Sequence, residues 1–294
     1  MKEEIQYFNS LEAAKILGVN VSSIKRWTDE GKLECIRTAG GHRKFLMEHL
    51  VAFLEQNKQK TAKINLFPLE TETDLQISQH ILKGDFDYLA DFVLTQALNG
   101  NRAQLQKVLN GLYLGQYPLH LIYDQLLAPV LHRIGALWHE QQISIIEEHF
   151  ASQAIRDCIT RLQGIIRIPE KKIATVLCLN FSHELHDIAL KMVDHILESL
   201  GYEVLFSGQI TPLLDIETIF ARLTPQKVYL SSTMIEDVPA TQMEFEHIGQ
   251  LCQKYDSRLF LGGQGFDRLD LSTYAAIQQR LFSFTDVYQS AASA

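Results

Sequence analysis

The chain has 294 residues, 46% of them hydrophobic and 21% charged, enough to bury substantial cores and, by length, to form two or three domains. No apolar run approaches the roughly 18 to 20 residues that cross a bilayer. The opening MKEEIQYFNS is acidic where a secretory leader is basic, and the four scattered cysteines, Cys35, Cys158, Cys178 and Cys252, form no CxxC pair. A cytoplasmic protein with reduced, structural thiols is therefore expected, with no membrane partner. The net charge of −8 hides an asymmetry: residues 1–60 hold ten Lys and Arg against eight Asp and Glu, leaving 17 against 27, so the front is +2 and the rest −10.

The first element is a short helix that Ser10 caps and Gly18 ends, followed by a second over Val21 to Glu30. Two short helices joined by a tight turn form a helix-turn-helix pattern. The second puts Ser22, Ser23, Lys25 and Arg26 on its polar side, as a major-groove reader does. RTAGGHRKF reads as a β-hairpin whose glycines allow close approach to phosphates, with Arg37, His42, Arg43 and Lys44 as wing contacts. Taken alone, the same residues also suit a solvated protein-interaction module. The GGHRKF wing resembles the MerR-type winged helix-turn-helix family, which implies binding of double-stranded operator DNA as a dimer.

Residues 1–58 are assigned to this head, 59–74 to a polar linker, 75–168 to a helical bundle and 169–294 to a last unit. In the bundle, Leu75, Ile77, Ile81 and Leu82, then Phe86, Leu89, Phe92, Val93 and Leu98, mark two amphipathic helices punctuated by Gly84 and Gly100. Leu105, Val108, Leu109 and Leu112 mark a third, and Leu119–Trp138 and Ile145–Ile165 two longer ones. Ser144 with Glu147 forms a capping box that fixes Glu148 and His149 in a first helical turn. Trp138 ends the preceding helix, so a short connection brings the three side chains to one end of the bundle.

The last unit alternates strand runs, IATVLCL, YEVLFSG, KVYLSST, RLFLGG and LFSFT, with helical stretches such as His186–Leu200 and Ile216–Leu223. A doubly wound, Rossmann-like parallel sheet is expected, with ligands held outside the carboxyl ends of its strands. Two loops at that edge, NFSHELHDIAL and LGGQGF, carry the informative residues. Met234 and the aromatic residues of this unit are assigned to its core, and His183 to solvent.

ELHDIA, Glu184 to Ala189, resembles the D/E-x-H-x-x-G motif of cobalamin-binding domains. LSSTM resembles their S-x-L/V/T segment and GGQGF their glycine pair, while Trp138, Glu148 and His149 form a W-x9-E-H pattern. In this order behind a MerR-like head, these motifs resemble the CarH and LitR class of cobalamin-dependent photoreceptor repressors over nearly the whole chain. The resemblance implies adenosylcobalamin as cofactor, a non-enzymatic role, a homo-oligomer (dimer or tetramer) and repression relieved by light. His186 is the expected lower cobalt ligand, with Glu184 fixing its tautomer. Asp187, Ala189, Ser231, Thr233, Gly262 and Gly263 complete the lower side, the small residues leaving room for the nucleotide tail. Trp138 and Glu148 are expected over the upper ligand with His149 beside them, and His139 is favoured over His149 as the imidazole that replaces the adenosyl group after photolysis. Ala189 departs from the motif's glycine and puts a methyl beside the tail passage. That departure keeps a cofactor-independent, partner-controlled regulator in view; a corrinoid methyl carrier is the other alternative.

Overall fold

The computed structural model describes residues 7–53 apart from 18, 39, 47, 48 and 51, and residues 71–292 apart from 276 and 277. The Gly18 helix stop and most of the expected linker lie outside the described residues. The chain divides into two compact units, 1–167 and 168–294.

The head has helices α1 (Ser10–Ile16) and α2 (Val21–Asp29) with a three-stranded antiparallel sheet of order β1-β3-β2, formed by β1 (Phe8–Asn9), β2 (Ile36–Arg37) and β3 (Arg43–Phe45). Asn9, rather than Ser10, caps α1: its Oδ1 accepts from the Leu11 and Glu12 amides at 2.9 and 3.0 Å, and Glu12 accepts from the Asn9 amide in return. Ile16, Leu17, Ile24, Leu33 and Phe45 are fully buried, and Trp27 packs on Phe53 with the rings tilted, 4.6 Å between centroids.

The bundle begins with α3 (Glu72–Lys83), which starts inside the stretch assigned to linker because Thr71 and Asp74 form a capping box there. Gly84 ends it in the left-handed region at φ 67°, where glycine carries no Cβ penalty. Helices α4 (Phe86–Leu98) and α5 (Arg102–Leu114) follow, then α6 (Leu119–Ile122), a π turn over Tyr123–Leu127, α7 (Ala128–His139) and α8 (Ile145–Gln163). The expected single helix from 119 to 138 is thus interrupted. Pro129 has no N–H for the carbonyl four residues back, and the backbone widens just before it. Ile77, Ile81, Leu89, Val108, Leu112, Tyr123, Val130, Ile155 and Ile159 fill the core, whereas Leu75 and Leu82 face outward, 46% and 62% exposed. The periodicity placed those two one step off the inward stripe.

The second unit is a five-stranded parallel sheet of order β5-β4-β6-β7-β8. Its strands are β4 (Thr175–Asn180), β5 (Glu203–Phe206), β6 (Lys227–Ser231), β7 (Arg258–Gly262) and β8 (Gln278–Leu281). Helices α9 (Ile188–Ser199), α10 (Ile216–Leu223), α11 (Val238–Lys254) and α12 (Phe284–Ala292) complete it. The last strand lies earlier than the run LFSFT, because Ser283 and Asp286 cap α12 instead: the Asp286 carboxylate accepts from the Phe282 and Ser283 amides. Phe282 is 82% exposed and Tyr288 38%, so these two aromatics are outside the core to which they were assigned. Leu177, Val228, Leu230, Phe245, Leu259, Leu261 and Phe266 pack one face of the sheet. From β4 the chain leaves to β5 on one side and returns to β6 on the other. The β4/β6 boundary is therefore the switch point, where two neighbouring loops diverge and leave a crevice.

Candidate functional site

The loops beside the switch point hold the ELHDIA motif and the SSTM segment. Glu184 is buried, 3% exposed, and both its carboxylate oxygens are committed. Oε1 lies 2.6 Å from His186 Nδ1 and accepts from the His186 amide at 2.9 Å. Oε2 accepts from the amides of Thr233 at 2.7 Å and Met234 at 3.1 Å, with the Ser232 hydroxyl at 3.5 Å. Burial by itself pushes the Glu184 carboxyl up. The His186 ring and the amides of His186, Thr233 and Met234 outweigh it and hold the group ionised below the usual glutamate range. A carboxylate at Nδ1 keeps the proton on that nitrogen and the lone pair on Nε2, the atom a metal would use. The His186 side chain is 51% exposed, on a partner that is not.

The neighbouring residues differ in what they do. Asp187 is buried at the head of α9, and Gln209 Nε2 donates to its carboxylate at 3.2 Å and to the Leu185 carbonyl at 2.6 Å, tying the motif loop to the loop after β5. Ala189 is partly exposed in the first turn of α9, and His183 is exposed as expected. Asn180, Ser231 and Gly262 are register partners at the ends of β4, β6 and β7. The two glycines separate: a Cβ on Gly262 would meet nothing within 4 Å, whereas one on Gly263, at φ 100°, would sit 2.1 Å from the Ser232 carbonyl oxygen. Gly262 therefore borders open space. Gly263 is required by the backbone, a role apart from the tail clearance expected of it. Met234 is half exposed and contributes its amide to the site, which corrects its assignment to the core.

Sequence reasoning missed the Thr233 and Met234 amides, Gln209 and Asn180. The amide donors of Thr233 and Met234 carry no side-chain signature, and Gln209 is distant in the chain. Asn180 is fully buried, with Nδ2 donating to the Gly208 carbonyl at 3.2 Å and Oδ1 lacking a hydrogen-bond partner. An orphaned acceptor on the row with Ser231 and Gly262 fits a ligand rich in amide donors, as corrinoids are. With an oriented imidazole and open space at Gly262, these residues fit cobalamin as a lower-side site. Among the described residues, no group of three or more His, Cys, Asp or Glu could hold a bare metal ion.

In the bundle, Trp138 and His139 end α7, their rings 4.7 Å apart. The turn that follows carries Gln141 at φ 58°, and Ser144 opens α8 with the expected capping box, Glu147 Oε2 accepting from the Ser144 amide at 2.7 Å. Trp138 and residues Gln141–Ile145 line an open hollow of about 550 Å³. Glu148 and His149 lie in the first turn of α8 but do not line it; Glu148 accepts from the Ser152 hydroxyl at 2.6 Å. Ile145, Ile146 and Phe150 beside them are each more than half exposed, an apolar setting suited to a flat ligand face.

In the head, Ser22, Lys25, Arg26, Arg37 and His42 are exposed, and Ser23 and Lys44 partly so. Arg43 departs from its expected role. Its side chain is 15% exposed and bonded to Asp29, so it braces the wing from within.

Comparison with known proteins follows the same division. Residues 7–58 match the helix-turn-helix domain family, and residues 76–163 the B12 binding domain family. The HTH-type transcriptional repressor CarH of Myxococcus xanthus is 26% identical over 233 residues, covering 75% of this chain and 77% of that protein. The transcriptional repressor DcmR of Methylorubrum extorquens is 37% identical over 59 residues, 20% of this chain and 22% of its own. Among solved structures, the Methanosarcina barkeri monomethylamine corrinoid protein gives a TM-score of 0.57 at 14% identity, covering 70% of this chain and 97% of that one, a likeness of fold. No helix among the described residues is long and apolar enough to cross a membrane. The helix-turn-helix match, the B12 binding domain match and the 26% identity to CarH over three quarters of the chain support a CarH-type cobalamin-binding transcriptional regulator.

Proposed function

We propose that this regulator is a light-responsive, non-catalytic repressor that acts in the cytoplasm, binds adenosylcobalamin in the dark, oligomerises on double-stranded operator DNA and releases it on illumination. The observation that carries the reading is the Glu184–His186 pair: a buried carboxylate, saturated by backbone donors, orienting a half-exposed imidazole at the switch point. In this reading His186 Nε2 would hold cobalamin through its metal, and Ser231, Asn180 and Gly262 would border the room left for it. When bound, adenosylcobalamin supplies a cobalt–carbon bond that visible light can break. Trp138 would offer the cofactor an apolar face, and Glu148 would accept from its ribose hydroxyls. His139, beside Trp138, would offer cobalamin an imidazole after illumination. Tethering several weak heads in one oligomer raises their joint affinity by about 10² to 10⁴ without new contacts.

The test is the visible absorption spectrum of protein incubated in the dark with adenosylcobalamin, desalted, and recorded before and after green light. Retained colour that converts to a stable bis-imidazole spectrum in the wild type, and not in His139→Ala, supports the assignment. The same converted spectrum in His139→Ala and His149→Ala removes both histidines from that role. A colourless protein favours a partner-controlled regulator, the reading to which Ala189 points.

A further inference from the structure

Two arginines of the wing face one another. In the β2–β3 ladder Arg37 is the direct partner of Arg43, and like charges directly opposite in an antiparallel pair repel. The acid that relieves this repulsion comes from outside the hairpin. Asp29 is the last residue of α2, and its Oδ1 accepts from Arg43 Nη2 at 2.7 Å and from Arg37 Nη2 at 2.8 Å. Those guanidinium groups, Arg43 foremost, hold the Asp29 carboxyl below its usual range. Arg43 is thereby tucked inward at 15% exposure, while Arg37 stays half exposed at 54%.

We propose that Asp29 is a positioning residue for DNA recognition. It locks the wing to the end of α2, so that Lys25 and Arg26 on the helix and Arg37 on the wing meet DNA as one preset surface. Its placement carries a cost, since an acid among basic groups weakens attraction to phosphates. The inference rests on the DNA-binding reading above.

The two effects of removing the carboxylate have opposite signs. Charge alone predicts that Asp29→Ala tightens binding to any duplex; loss of the clamp predicts weaker binding to the recognised sequence. The experiment uses the full chain with adenosylcobalamin in the dark. It compares a duplex selected by the wild type from a random-sequence pool with an unrelated duplex of equal length. The expected result is an affinity of Asp29→Ala for the selected duplex lower by about tenfold, with unchanged or tighter binding to the unrelated one. Asp29→Glu, which keeps the charge, recovers part of the difference. Cys35, the partly exposed cysteine just before β2, is alkylated faster in Asp29→Ala, with the circular dichroism unchanged. Equal or tighter binding to the selected duplex overturns the proposal, and so does an equal loss on both duplexes, which marks a merely structural residue. A wild type that selects no duplex overturns the DNA-binding reading itself, an outcome separate from a wild type that selects and a variant that matches it.

Discussion

Glu184→Gln probes the lower side with the smallest change in shape. The wild-type carboxylate faces four N–H donors, two on each oxygen: His186 Nδ1 and the His186 amide on one, the Thr233 and Met234 amides on the other. Glutamine has one oxygen, so whichever way it turns, one pair of donors faces an NH2 group. If the NH2 faces Thr233 and Met234, two amides lose their acceptor. Both residues are partly exposed and water compensates, so the cost is at the low end, about 1 kcal/mol each. If it faces His186, the ring accepts at Nδ1 and carries its proton on Nε2, which can no longer ligate a metal. Since losing the partner that orients a metal-binding imidazole costs about 10- to 100-fold in affinity, cobalamin binding falls by that factor and stability by about 1 to 2 kcal/mol. Absorbance titration with adenosylcobalamin in the dark measures the first, and urea unfolding of the cofactor-free chain the second. A variant that binds as tightly, with the same lower-ligand spectrum and the same unfolding midpoint, would refute both the role of His186 and the reasoning from donors and acceptors.

The glycine pair gives a second contrast. Gly263→Ala forces a Cβ onto the Ser232 carbonyl at a left-handed φ and should cost about 3 kcal/mol or more, seen as a lower thermal midpoint. Gly262→Ala meets nothing in the protein, so stability is kept while cobalamin affinity falls; the reverse pattern would remove the tail from this edge. Ser144→Ala deletes the α8 cap that positions Glu148 and His149 and should lower stability by about 1 kcal/mol in chemical denaturation. His195 is fully buried, and burial, with Lys191 adding to it, pulls its pKa from 6.5 down to about 3. The unfolded chain binds a proton there that the folded state refuses. The contribution is therefore full above 6.5 and is lost as pH falls toward 3, by at most about 1.4 kcal/mol per unit. His195→Leu should flatten the slope of stability between pH 6.5 and 5 in urea titrations, and an unchanged slope would contradict this.

Local order along the chain settled a great deal about this protein. Hydrophobic period, glycine punctuation and capping chemistry are properties of neighbouring residues, which is why α2, the wing, α3 to α5 and the Ser144 cap could be read directly. Chain order also carried the ELHDIA loop to the carboxyl edge of a parallel sheet, since a strand followed by a helix leaves its loop there. Where the residues failed to announce their roles, the deciding partner was distant or was backbone. Leu75 and Leu82 have the composition of core residues, but the packing of α3 turned them outward. The run LFSFT has strand propensity, but Ser283 and Asp286 made it a helix start. Glu184 could be paired with His186 from two-residue spacing, but its remaining acceptors were matched to amides some fifty residues away. Gly262 and Gly263 are one motif in sequence, and only the approach of the Ser232 carbonyl assigns one to the backbone and the other to open space. Asp29 reads as an ordinary helix-end acid until the register of the wing sets Arg37 against Arg43 and makes a carboxylate between them necessary. A sequence fixes what each residue prefers next to its neighbours, and the tertiary fold decides which donors, charges and backbone atoms arrive from elsewhere to use it.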